Sequence, residues 1–173
     1  EWQKFCEKIS ELGKYLEDEG MPLAYHHHMG TVIETQKDTE RLIENTHESV
    51  KLTLDTGHML FAKGDSKSIL QNYYERILHV HCKDIRKQVL EKSLKEDLSF
   101  RGAFLEGAFT VPGDGCIDYQ PLFNVLKNNN YSGWLVVEAE QDPAKANPLE
   151  YAKIGYNYLT DTLKKSEIEI YKN

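Results

Sequence analysis

The chain has 173 residues, 40% of them hydrophobic and 28% charged, with a formal net charge of −7, a composition that fits one globular domain. The acidic balance, with lysine and arginine scattered along the chain, speaks against a nucleic-acid partner, which wants a basic stripe, and no apolar run approaches the ~18 to 20 residues of a membrane helix. Cys6, Cys82 and Cys116 lie far apart without C-x-x-C spacing, so neither a disulfide framework nor a cysteine zinc site is expected.

The chain begins at Glu1 and enters "WQKFCEKISELGKYLEDEG" directly, a helix with Phe5, Ile9, Leu12 and Leu16 at the spacing of one buried face. This opening, with no basic-then-apolar leader, leads to the expectation of a cytoplasmic protein and of a segment from the middle of a longer one. After Gly20, "MPLAYHHHMG" reads as a short strand ending in polar residues. "TQKDTERLIENTHESV" reads as a helix with Leu42, Ile43 and Thr46 inward, and "VKLTLDTGH" as a second strand closed by Asp55. "DSKSILQNYYERI" begins with capping residues and carries Ile69, Leu70 and Tyr73 on one side, the next helix. "ILHVHCKD" is a third strand, again ending polar.

From Ile85 to Gly115 the periodicity breaks into a charged segment and a glycine-rich loop, long for a compact domain and therefore expected to be functional. "DYQPLFNVLKNNNYSG" is a helix and turn, "WLVVEAEQD" a fourth strand, and "NPLEYAKIGYNYLTDTLKK" a closing helix. Strands apolar on both faces that alternate with helices mean parallel βα units. The expected fold is α/β, the C-terminal half of an eight-stranded (β/α) barrel with about four parallel βα units, since a whole barrel needs roughly 250 residues. Residues 1–173 are expected to be a single domain whose N-terminal half lies upstream, or a fragment that forms a homo-oligomer to cover its open edges.

Each of the four strands carries a metal-competent side chain at or near its C-terminal end: His26 and His28, Asp55, His79 and His81, and Glu138. In a parallel barrel those ends converge on the active-site face. Alternation puts His26 and His28 on one side and His27 toward the helix layer, where it reads as a packing residue. His79 and His81 also share a side, His81 nearer the mouth as the better ligand, with His79 as a ligand-supporting or substrate-contacting residue. His47 reads as a solvated helix residue. Mixed histidine and carboxylate donors without cysteine favour Mn²⁺, Co²⁺, Mg²⁺ or Zn²⁺.

The segments "HHHMGTVIET", "LDTGHMLFAKGD", "RILHVHCKD", "PGDGCIDYQPLF" and "GWLVVEAEQDP" resemble, in that order, the sugar phosphate isomerase/epimerase family, the xylose isomerase-like barrels. The resemblance implies metal ligands at Asp55, His81 and Glu138. The fourth position, a glutamate in the family's E-N-H-x-G pattern, falls on His26 of "HHHMG"; Glu34 of "GTVIE" is the alternative, and the choice stays open. It further implies that His58 contacts substrate hydroxyls and that the "PGDG" loop lies near the mouth without a catalytic role; Lys83, Asp84 and Arg86, which follow the third strand, read either as groups that bind or position a polar substrate or as a solvated loop.

The branch it resembles most removes water from 2-keto-myo-inositol in inositol breakdown, with manganese or cobalt and glutathione as an additional cofactor. Such a dehydration takes a proton from the carbon next to the ketone, forms an enolate and expels hydroxide. Glu34 or Glu138 is the implied base and His58 the implied acid, because a histidine changes charge near neutral pH. The same enolate would serve an isomerase or epimerase, and a ligand-binding module without activity is the alternative from outside the enzymes. A metal-dependent endonuclease of the same broad family fits poorly with an acidic chain.

Overall fold

The computed structural model describes residues 1–171, which fold as two compact units that divide between Val80 and His81. The first unit opens with α1 (Trp2–Asp18), followed by β1 (Leu23–His26), α2 (Gln36–Asn45), β2 (Val50–Asp55), α3 (Thr56–Phe61) and α4 (Ser66–Tyr73). The next strand, β3 (Ile77–Cys82), begins here beside β2 and ends in the second unit. β1 and β2 pair in parallel from Leu23↔Val50 to His26↔Thr53. Every residue of β2 except Lys51 is buried, as a parallel strand covered on both faces should be.

The core of this unit is built from Ile33, Leu42, Leu52, Leu54, Met59, Ile69 and Leu70, each at most 1% exposed. Each such side chain contributes about 1.5–3 kcal/mol of burial. α2 starts where a reciprocal cap is encoded: the Thr35 hydroxyl accepts the Asp38 N–H and the Asp38 carboxylate accepts the Thr35 N–H. His47 lies beyond the end of α2, its Nδ1 3.0 Å from Ser49 Oγ. α1 packs with Cys6 and Gly13 at the centre of its inner face. Phe5, Ile9 and Leu16 are half-buried beside them, and Leu12, expected inward, is 48% exposed. The reason is close approach: a Cβ at Gly13 would stand 2.9 Å from Ser49 Oγ and 3.0 Å from Val50 Cγ2, so the helix turns its bare backbone toward β2.

The second unit continues with β4 (Asp84–Ile85), α5 (Lys87–Lys95), α6 (Phe100–Glu106), β5 (Phe109–Thr110), α7 (Gln120–Asn128), β6 (Leu135–Val137) and α8 (Pro148–Lys165). β6 lies beside β3, with the Glu138 N–H 3.5 Å from Cys82 O. The segment expected to be a charged stretch and a loop is instead two helices between the antiparallel strands β4 and β5. Ser99 caps α6 by accepting the Gly102 N–H, and Gly107 ends it at φ 82°, the left-handed conformation glycine supplies without steric cost. Phe109, Tyr119, Phe123 and Ile85 form the core of this unit. Among the described residues no helix is long and apolar enough to cross a membrane.

Candidate metal and substrate site

In the first unit the end of β2 answers why a buried strand carries an acid. Asp55 is fully buried, which would cost several kcal/mol for an unpartnered carboxylate. Its Oδ1 accepts the His58 N–H at 2.9 Å, making Asp55 the N-cap of α3. Its Oδ2 lies 3.2 Å from His26 Nε2. His58, expected in a turn beyond the strand, sits instead in α3, fully buried. The ring of His28 lies over it at 3.6 Å between centroids, and that of His26 at 5.7 Å. One donor atom each from His26, Asp55 and His58 falls within 4.8 Å of the others.

His27, expected to be a packing residue, is fully buried. Its Nε2 accepts the Asp55 N–H at 3.1 Å, a group that the β1–β2 ladder, ending at His26↔Thr53, no longer serves. Burial pushes the His27 pKa down to about 3; the Asp55 carboxylate pulls the other way, and His26, His58 and His28 add to the lowering. The imidazole is therefore neutral, as an acceptor must be. Glu34 is held in its own loop, where Oε2 accepts the Gly30 N–H at 2.9 Å. His79 is half-buried on β3.

In the second unit His81 Nδ1 lies 2.7 Å from Glu138 Oε2. The same oxygen lies 3.3 Å from Lys83 Nζ, which lies 2.6 Å from Glu140 Oε2. Lys83, expected to reach a substrate, is fully buried among these groups, with its ammonium 5.7 Å from the centroid of the Phe109 ring. Its backbone carbonyl accepts the Tyr119 hydroxyl at 2.9 Å. Glu140 has φ 45°, uncommon for a residue other than glycine. The sequence held a signal for it, because Glu140 repeats Glu138 at the two-residue period of a strand.

Asp84 and Arg86 serve the loop that follows. Asp84 Oδ1 accepts the N–H groups of Ile85, Cys116 and Ile117 at 2.7–2.9 Å. Burial, the dominant effect, raises its pKa, and the N–H donors oppose this. Gly115 is required here, since a Cβ at that position would collide with the Asp84 carboxyl. Arg86 donates to Gly107 O at 2.8 Å and to Asp114 Oδ2 at 2.6 Å, so its guanidinium ties the "PGDG" loop to the end of α6.

A family model described as "Xylose isomerase-like TIM barrel" matches residues 1–162. An inosose dehydratase of Clostridium beijerinckii is 50% identical over 162 residues, 93% of this chain and 54% of that protein. An inosose dehydratase of Lactiplantibacillus plantarum is 46% identical over 164 residues, 94% of this chain and 55% of that one. The chain thus spans about half the length of the curated relatives it matches. Among solved structures, that of IOLI protein with a bound zinc atom aligns with a TM-score of 0.66 and 21% identity, covering 91% of this chain and 54% of that one.

Proposed function

The chain belongs to the xylose isomerase-like TIM barrel family, and from that premise we propose that it contributes the metal and substrate site of a dehydratase that removes water from 2-keto-myo-inositol. The observation that carries this reading is the 50% identity to an inosose dehydratase across nearly the whole chain. The fold alone would not suffice, because one barrel serves many chemistries.

The proposed ligands of a divalent ion are Asp55, His81 and Glu138. The donor set fits such an ion: a fully buried carboxylate with a histidine beside its Oδ2 in one unit, and a histidine–carboxylate contact in the other. Imidazole with carboxylate suits Mn²⁺, Co²⁺ or Zn²⁺, and Mg²⁺ less well. The 3.2 Å contact between His26 and Asp55 supports His26 as the fourth ligand over Glu34, which is occupied by Gly30. When bound, the ion supplies Lewis-acid stabilisation of negative charge on substrate oxygens.

The chain's own residues bind the polyol and move protons. His58 and His79 are proposed to meet substrate hydroxyls, and His58 to give a proton to the departing hydroxide. Glu138 or Glu34 takes the proton next to the ketone. Glutathione is a proposed additional cofactor, the substrate a small polyol ketone, and the compartment the cytoplasm. Residues 1–173 are proposed as part of one barrel domain. The test is to add Mn²⁺ and 2-keto-myo-inositol to the protein and follow the ultraviolet absorbance of the conjugated dione. A rise is expected. Bound metal without dione, and a rearranged sugar by NMR, would replace the dehydratase with an isomerase.

A further inference from the structure

The His81–Glu138–Lys83–Glu140 chain holds one more glutamate than the proposed metal site uses, and a lysine that site does not need. Lys83 is fully buried, while Glu138 and Glu140 keep 32% and 25% of their side chains exposed. A buried ammonium is tolerated where carboxylates compensate it, and here two of them share it. Its shorter contact is to Glu140, at 2.6 Å, against 3.3 Å to Glu138. Glu140 reaches it from a left-handed backbone conformation, a strained geometry of the kind that persists when surrounding contacts dictate it.

We propose that Lys83 is a built-in counter-cation of the metal site and Glu140 the anion that holds it: Glu140 draws the ammonium away from Glu138, and the ammonium weakens Glu140 as a further ligand. The inference rests on the proposed metal site and adds to it a control over how strongly that site attracts a divalent ion. Charge arithmetic gives the signs. With His81 neutral, Glu138, Glu140 and Lys83 sum to −1. Removing the ammonium leaves −2 facing the ion, and removing the Glu140 charge leaves Glu138 neutralised by Lys83.

The experiment is a calorimetric titration of the full chain with Mn²⁺, in wild type and in Lys83→Met, Lys83→Arg, Glu140→Gln and the Lys83→Met/Glu140→Gln pair, with circular dichroism to confirm folding. Lys83→Met is expected to bind Mn²⁺ at least tenfold more tightly or to take up a second equivalent. Glu140→Gln, at a partly exposed position, is expected to bind at least tenfold more weakly, and the double variant to return to within about threefold of wild type. Lys83→Arg should match wild type. A merely structural role for Lys83 would weaken binding in every variant.

Binding by Lys83→Met equal to or weaker than wild type overturns the inference, and so does unchanged binding by Glu140→Gln should Lys83→Met not fold. Either result, with Mn²⁺ affinity still lost in Glu138→Gln, leaves the metal site standing. Absence of Mn²⁺ binding in wild type and in all variants removes both.

Discussion

Lowering the pH should destabilise this protein through His27 in particular. Unfolded, its imidazole titrates near the ordinary value of 6.5; folded, burial holds it down to about 3. Between those values the unfolded state carries one more proton than the folded state, so stability rises with pH across the window. The contribution is complete above about pH 6.5 and is lost as the pH falls toward 3, at up to about 1.4 kcal/mol per pH unit. From pH 7 to 4.5 the loss is about 2.5 kcal/mol, a large share of a stability of roughly 5–15 kcal/mol. The assay is urea unfolding followed by circular dichroism at half-unit pH steps, in wild type and in His27→Gln. The variant keeps an acceptor near the Asp55 N–H but cannot ionise. It is expected to be about 1 kcal/mol less stable at pH 7, through an imperfect hydrogen bond, and to lose less on acidification by about one proton's worth of slope. Parallel curves for the two proteins between pH 6.5 and 4.5 would refute the reasoning.

Leu54→Ala, at a position with 0% exposure, is expected to cost about 2–5 kcal/mol in urea unfolding through the cavity it leaves. Gly115→Ala should push the Asp84 carboxyl from its three N–H donors and lower stability by roughly 2 kcal/mol or more, with faster amide hydrogen exchange at Cys116 and Ile117. His58→Gln is expected to slow dione formation from 2-keto-myo-inositol by about 100-fold or more, the usual worth of a proton-transfer group; unchanged turnover would remove His58 from the mechanism.

The strands and the long helices were legible because their apolar residues follow the periods of two and 3.6 that burial imposes. β2 is the clearest case, with Leu52 and Leu54 on one face and both faces covered. The strand-end residues were legible for the same reason, since a polar side chain at the end of such a run stands out. α5 and α6 were hidden by charge: in "KQVLEKSLK" only Leu90 and Ser93 are buried, too few to show a period, though the Ser99 cap and the Gly107 stop were there to be read. Leu12 was misplaced because the helix approaches β2 through a glycine, which has no side chain to mark the inner face. The short helix at His58 escaped notice because Asp55 ends a strand and caps a helix at once. Arg86 and Lys83 looked like open cations in the sequence, since the carboxylates that hold them, Asp114, Glu138 and Glu140, lie 28 to 57 residues further on.

The pairing of β4 with β5, Asp84 opposite Thr110 and Ile85 opposite Phe109, closes the base of the excursion that carries α5 and α6. Its two feet are fastened to each other and the loop beyond is fastened to Asp84, so a change in the turn at the tip meets that clasp before it meets the strand ends. Lengthening or shortening the turn between the two helices should therefore be tolerated where a one-residue change at Ile85 or Phe109 would not be.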